Sequence, residues 1–305
     1  MRMTRKTANL TLLIISAIWG LGFILTKTAL EANVTAGFIN FTRGLIFTVL
    51  ALIFFRKKIF SMTVSDFKIG LYAGLINFAG FITQTIGMKY TTPSNNAFIT
   101  ATYIVIIPFI AWIMYKKQLD AINFISIAIC LLGMAVLTGV TAKGLNINTG
   151  DIYTVVCAFF YAWSIAYISH GLKNTDPTIV AFMMALTQMA GGICHFIAIE
   201  GGRLVDVNWQ VAVLPLVLMG VFCSFTAQTF QVIAQQHTTA TSAGLIMMLE
   251  SVFGSLFSVI FGFEPLTFNM VAGGAIILVG LVITETKRSL TFALVRKFHA
   301  FIKLH

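Results

Sequence analysis

The sequence predicts an all-α polytopic membrane protein whose ten transmembrane helices form a 5+5 inverted repeat. Three observations lead there. Hydrophobic residues are 58% of the 305 and charged residues only 10%, too few charges to give a soluble protein of this size a water-facing surface. Apolar runs of about 20 residues, the length an α-helix needs to cross the hydrocarbon core, follow one another almost end to end. And "YTTPSNNAFITATYIVIIP", from Tyr90 to Pro108, recurs in pattern 147 residues later as "HTTATSAGLIMMLESVFG", from His237 to Gly254.

The spans are read as 8–27, 36–55, 67–88, 95–115, 121–139, 151–170, 178–199, 211–233, 240–262 and 267–284. Turn-forming residues separate them, as in "EANVT", "KYTTPSN", "KNTDPT" and "FEPLT". The first run follows a basic leader, "MRMTRKTAN", but no small-residue cleavage site follows and further spans do, so it is read as a span and not as a signal peptide. In span four Thr92 is the expected N-cap and Pro93 the first helical residue, where a missing N–H costs nothing. Thr238 or Thr239 takes the same job in span nine. Pro108, well inside span four, removes a backbone hydrogen bond and frees the Ile104 carbonyl, which marks a hinge. Small residues at Gly70-x-x-x-Gly74 and in "AGGAIILVG", Ala272 to Gly280, fit close helix packing.

The repeat holds without a gap over residues 77–136 against 224–283. Polar identities at Gln84/Gln231, Thr91/Thr238 and Thr92/Thr239 accompany apolar and glycine matches such as Gly133/Gly280. The first two spans repeat more loosely, "AIWGLGF" against "FFYAWSI" and "FTRGL" against "LTQMA", with three extra loop residues in the second copy. The expected division is therefore 1–142, 143–286 and a tail, 287–305. Five spans is an odd number, so the copies run in opposite directions through the membrane. That arrangement places a binding site between the halves near the midplane.

Lysine and arginine near span ends favour the cytoplasmic side. With the N-terminus inside, the inner segments hold Arg2, Arg5, Lys6, Arg56, Lys57, Lys58, Lys68, Lys116, Lys117, Lys173, Lys287, Arg288, Arg296, Lys297 and Lys303, and the outer ones only Lys27, Lys89, Lys143 and Arg203. Both termini are thus expected in the cytoplasm, and the chain in the plasma (inner) membrane. The net charge of +10 reads as membrane orientation. Nucleic acid is a poor partner, because the basic residues are scattered over short loops. In the tail, Leu290, Leu294, Phe298 and Phe301 share one helical face, opposite Arg288, Arg296, His299 and Lys303. This predicts a helix lying on anionic lipid, or a segment that binds a partner.

Other chemistry finds little support. Cys130, Cys157, Cys194 and Cys223 sit singly in apolar runs, the five histidines are dispersed, and neither an HExxH nor a Walker-type glycine-lysine motif occurs. No metal or cofactor is expected. An intramembrane enzyme would need paired acids or a nucleophile with its base inside the spans, whereas Asp66, Asp120, Asp151, Asp176 and Asp206 all fall in loops or at span ends. A non-transporting receptor or scaffold is the other alternative.

With "AIWG" in span one, an arginine in span two, "YTTPSNNAFITATYIVIIP" in span four and "LES" in span nine, the chain resembles the EamA family of the drug/metabolite transporter superfamily. The resemblance implies a helical basket around a cavity lined by spans 1, 3, 4, 6, 8 and 9, alternating access, and efflux of small metabolites such as amino acids. The family often carries proline after the span-nine glutamate, where this chain has Ser251.

Ionisable groups inside spans are costly and mark function by default. Arg43 and Glu250 are the best placed. Arg43 could meet a substrate carboxylate, pair with Glu250 or serve as a structural hub. Glu250, which aligns with Tyr103, could bind an ammonium, carry a proton or pack as a neutral acid. The amides Asn77, Gln84, Gln188, Gln228 and Gln231 could orient a substrate or join helices. Trp19, Tyr103, Tyr161, Trp163 and Tyr167 could form an aromatic wall. Lys27 is expected to snorkel at the outer interface or to meet an anion at the cavity mouth. His170 and His195 are read as packing residues. The expected function is a secondary exporter or exchanger of small organic solutes, with proton coupling and electroneutral exchange both open.

Overall fold

The computed structural model of the chain describes residues 3–117, 121–138, 148–172 and 175–283. The tail expected to lie on lipid falls outside them. Among the described residues the regular structure is helical: α1 Arg5–Glu31, α2 Ala36–Ile59, α3 Val64–Lys89, α4 Pro93–Ala101, α5 Tyr103–Tyr115, α6 Ala121–Thr138, α7 Thr149–His170, α8 Pro177–Ala198, α9 Trp209–Leu218, a π-helical stretch Met219–Thr226, α10 Ala227–Gln235, α11 Ala240–Met247 and α12 Glu250–Ile260. A last helix, α13, is Phe268–Ile283. Eight helical stretches are long and apolar enough to cross a membrane, counting α4 with α5, α9 with α10 and α11 with α12, and α6 and α13 are shorter apolar helices.

The helix starts follow local side-chain chemistry. Thr63 and Asp66 form a reciprocal capping box at α3, and Asn148 with Asp151 does so at α7. Thr92 accepts from the Asn95 N–H with Pro93 in the first turn, and Thr239, not Thr238, caps α11. Thr35, before α2, makes no side-chain cap bond. Glu200 replaces it from the end of α8, both carboxylate oxygens accepting from the Gly37 N–H at 3.0 and 3.1 Å.

Two long spans are interrupted at equivalent places. α4 gives way to α5 at Thr102, and α11 to α12 at Met248 and Leu249, 147 residues on. At each break three-residue hydrogen bonds replace the α-helical ones, Thr102 N to Ile99 O and Ser251 N to Met248 O. A hydroxyl reinforces each, Thr102 Oγ1 donating to Ile99 O and Ser251 Oγ to Met248 O. Pro108, expected to mark the hinge, lies within α5, which continues through it. Span nine is interrupted although Ser251 stands where the family often has proline.

The helices fall into two compact units. One comprises residues 1–117 and 145–266, the other 118–144 and 267–305. In the larger unit α2 and α8 cross antiparallel at very close range: Gly37 meets Phe196, Phe41 meets Gly192, and Gly44 meets Met189. A methyl group on Gly44 would sit 2.2 Å from the Met189 nitrogen, so only glycine allows this approach. Gly70 and Gly74 of α3 pack likewise on Met183 and Thr187 of α8. In the smaller unit α6 and α13 are antiparallel, with Gly133 against Ile277, Gly273 against Leu137 and Gly280 against Cys130. The small residues noted in the sequence are thus contact surfaces between helices.

Candidate functional site

Within the larger unit, α1, α2, α3, α5, α7, α10, α12 and the π-helical stretch line a partly open cavity of about 640 Å³, open solvent included, of which water centres can occupy about 50 Å³. That is room for a handful of waters. Each wall is one helical face. Trp19, Gly22, Phe23 and Thr26 come from α1, Asn77, Phe81, Gln84 and Met88 from α3, and Tyr161, Ser164 and Ile165 from α7, all at three- and four-residue spacing. Arg43, Tyr103, Cys223, Gln231 and Glu250 complete the lining. Gly80 leaves room for the Tyr161 ring to lie against α3.

Eight of the ten expected substrate-binding residues meet here: Trp19, Arg43, Asn77, Gln84, Tyr103, Tyr161, Gln231 and Glu250. Gln188 and Gln228 are not among the lining residues. Their amides bond each other, Gln228 Nε2 donating to Gln188 Oε1 at 3.4 Å, and Gln188 Nε2 donates on to Asn40 Oδ1 at 3.2 Å. Asn40 Nδ2 in turn donates to Thr85 Oγ1. This buried chain joins α10, α8, α2 and α3, the helix-joining role open to any amide in a span. Trp163 and Tyr167 also miss the cavity and pack on Tyr72. Span two, which the resemblance left out of the lining, contributes Arg43.

The polar groups of the wall divide into satisfied and unsatisfied ones. Gln84 is held at both ends, its Nε2 donating to Thr100 Oγ1 and its Oε1 accepting from the Tyr161 hydroxyl at 3.1 Å. Trp19 Nε1 donates to the Cys223 carbonyl at 3.0 Å, inside the π-helical stretch. Arg43 Nε donates to Ser224 Oγ at 3.1 Å, and its guanidinium carbon lies 4.6 Å from the centre of the Phe81 ring. Glu250 is the first residue of α12. Its carboxyl faces the Tyr103 hydroxyl, while Asn77 Oδ1 and Gln231 Oε1 are buried without hydrogen-bond partners.

Arg43 and Glu250 are each only 4% exposed, yet they form no ion pair with one another. Among the described residues they are the two charged side chains that line the cavity. Elsewhere Lys27 Nζ donates to the Met88 and Thr91 carbonyls at the end of α3, where a helix terminus favours a cation. His170 packs on Tyr115, and His195 lies 3.6 Å from Glu200.

The residues that sequence reasoning missed were within reach of a simple rule. Phe23 and Thr26 follow Trp19, and Phe81 and Met88 follow Asn77 and Gln84, at helical spacing. Extending each anchor by four residues names Phe23, Phe81 and Met88, and three more from Phe23 reach Thr26. Cys223 and Ser224 carried no such signal.

The family model of the EamA-like transporter family matches twice, over residues 6–139 and 148–286. An "Uncharacterized transporter" of Archaeoglobus fulgidus is 33% identical over 283 residues, covering 93% of this chain and 87% of its own. Solute carrier family 35 member F2 of Mus musculus is 22% identical over 183 residues, 58% of this chain and 48% of that protein. A solved crystal structure overlays with a TM-score of 0.69 at 18% identity, over 95% of this chain and 99% of that one, which shows a shared fold. With its apolar helices and its twofold match, the chain is a multi-pass membrane transporter and belongs to the EamA-like transporter family of the drug/metabolite transporter superfamily.

Proposed function

We propose that this transporter exports zwitterionic, amino-acid-like solutes with apolar side chains by alternating access in the plasma (inner) membrane. One observation carries the reading: a buried guanidinium and a buried carboxyl line the same cavity without pairing with each other. Each needs an opposite charge, and a solute bearing a carboxylate and an ammonium supplies both. Arg43 takes the carboxylate through donors Ser224 does not use, and Glu250 takes the ammonium. Trp19, Phe23, Phe81, Met88 and Ile165 form the apolar remainder of the wall and favour an apolar side chain.

The test is counterflow of L-phenylalanine in proteoliposomes, with two analogues that each lack one charge. Phenethylamine has no carboxylate and 3-phenylpropionate no ammonium. L-phenylalanine should exchange, and both analogues should compete about a hundredfold more weakly, as expected when one buried charge loses its partner at a cost of about 2–3 kcal/mol. Arg43→Gln should abolish the advantage of the zwitterion over phenethylamine, and Glu250→Gln its advantage over 3-phenylpropionate. Equal competition by all three compounds would defeat the assignment.

A further inference from the structure

We propose that Lys27 and Glu264 are the clasps of an outer gate with no equivalent at the inner mouth, so that the empty transporter rests shut to the outside. The inference uses the cytoplasmic termini and the alternating access proposed above, and is independent of which solute is carried.

With the termini inside, α1 and α3 run outward, and the outer end of the cavity is the one bounded by Phe23, Thr26 and Met88. Phe23, Met88 and Ala97 pack there as one buried cluster. Gly254 of α12 completes the layer, since a methyl group on it would sit 3.3 Å from Ala97 Cβ and 3.4 Å from the Phe23 ring. Beside this layer stand two clasps, each a charge placed at a helix terminus. Lys27 Nζ, from α1, donates to the Met88 and Thr91 carbonyls at 3.4 and 3.1 Å, where α3 ends. Glu264, in the loop after α12, accepts through Oε2 from the Ser94 N–H at 3.3 Å and from the Ser94 hydroxyl, in the first turn of α4. The same oxygen accepts from the Ser258 hydroxyl near the end of α12. A cation suits the first terminus and a carboxylate the second, and hydrogen bonds to charged groups are the stronger kind.

The inner mouth has the layer without the clasps. The gapless register of the repeat, and that of "AIWGLGF" on "FFYAWSI", match Phe23, Met88, Ala97 and Gly254 with Ile165, Gln235, Gly244 and Ile107. All four are buried, and Gly244 lies under the Ile107 side chain. Continuing the second register by four residues matches Lys27 with Ser169, which is uncharged and whose Oγ is buried without a hydrogen-bond partner. Glu264 matches Lys117, the wrong sign for the start of α11, and Ser258 matches Ala111, which has no hydroxyl. Among the described residues Lys117 forms no ion pair. Instead, Lys117, Ser169, Tyr115, Ile168 and Gln236 line a cleft of about 850 Å³, open solvent included, of which water centres can occupy about 420 Å³.

If the copies were identical, exchanging their conformations would give two states of equal free energy. Here the outward-open state must break both clasps and gains none inside. The empty transporter therefore favours the cytoplasmic side, from which an exporter loads, and outward release requires the clasps to open.

Cysteine labelling tests this. In a background with the four native cysteines replaced, Thr26→Cys reports on the outer end of the cavity and its counterpart Ile168→Cys on the inner cleft. An impermeant maleimide is added to intact cells for the first and to inside-out vesicles for the second. Glu264→Gln and Lys27→Gln should each speed labelling at position 26 about tenfold, as expected for losing one hydrogen bond to a charged group, and slow it at position 168. Ser258→Ala should act in the same direction. Transplanting the clasp to the inner mouth, Lys117→Glu with Ala111→Ser, should also speed labelling at 26 and slow it at 168. Faster labelling at both positions would mean loosened packing, and an unchanged rate at 26 would mean that the clasps hold nothing shut; either overturns the proposal. Reporters reached from the reversed sides would put the clasps at the cytoplasmic mouth and overturn it too. Labelling needs no solute, so failure of phenylalanine counterflow would strike the zwitterion reading and leave the outer gate standing.

Discussion

The Arg43 guanidinium fixes where an anion can bind, and Ser224 fixes the guanidinium. Among the described residues Ser224 Oγ is its hydrogen-bond partner, and the Phe81 ring supports its face. The terminal amino groups are left for a substrate carboxylate. Ser224→Ala should therefore raise the KM for L-phenylalanine about fivefold, near 1 kcal/mol, and leave kcat nearly unchanged. Initial rates of counterflow read both constants; an unaltered KM would show that Arg43 needs no such anchor. At this scale, charges were the legible part of the site. Arg43 and Glu250 stand out in apolar runs because burying a charge is expensive, so a sequence rarely carries one there without use. Gln188 and Gln228 were equally visible but lie outside the cavity lining, because an amide both donates and accepts and can satisfy another amide as readily as a ligand. Ser224 and Cys223 were invisible, since hydroxyls and thiols are ordinary in spans.

Helix starts and lengths were legible and helix interruptions were not. A cap is a local transaction, which is why Thr92 with Pro93 could be named in advance. The breaks at Thr102 and at Met248–Leu249 use neither glycine nor proline. They rest on the Thr102 and Ser251 hydroxyls competing for helical carbonyls, and on packing that a single stretch of sequence does not reveal. Their value is positional: each break starts a new helix at the cavity, with Tyr103 first on α5 and Glu250 first on α12. At the opposite extreme of legibility is Asp176, the N-cap of α8. Its Oδ1 accepts from the Thr178 N–H at 2.9 Å, and Lys58 at the end of α2 pairs with Oδ2. Burial opposes the charge on Asp176, but Lys58 and Thr178 outweigh it and hold the carboxyl below its usual range. A carboxyl whose folded-state pKa is depressed stabilises the fold above the ordinary carboxylate pKa, and that stability is lost as pH falls through the depressed value. Asp176→Ala should therefore cost about 1 kcal/mol at pH 7 and less at about pH 3. Thermal unfolding in detergent at the two pH values checks it, and an equal loss at both would assign the effect to packing instead.

For the whole molecule, the 5+5 inverted relation and the cytoplasmic termini are our proposal, and contacts within each compact unit support it. A residue that touches its own counterpart in the other copy lies at a two-fold axis. In the larger unit Gly44 meets Met189, and those two are matched by the alignment of "FTRGL" on "LTQMA". In the smaller unit Cys130 Sγ donates to the carbonyl of Ile277, its counterpart in the gapless register. Both crossings are antiparallel, so each axis runs across the helices, as inversion through the membrane plane requires. The family match to both halves makes the copies real but is silent on their direction. Tyr90 and His237 decide that, because they are 147 residues apart, both exposed, and each in the loop that precedes an interrupted span. In a background with the four native cysteines replaced, an impermeant maleimide added to intact cells should label Tyr90→Cys at once, and His237→Cys only after the membrane is opened. Labelling of both from one side would mean parallel copies, and the reversed order would move the termini outside. The first result would also remove the geometric basis for alternating access, since copies pointing the same way cannot exchange inward and outward states by exchanging conformations.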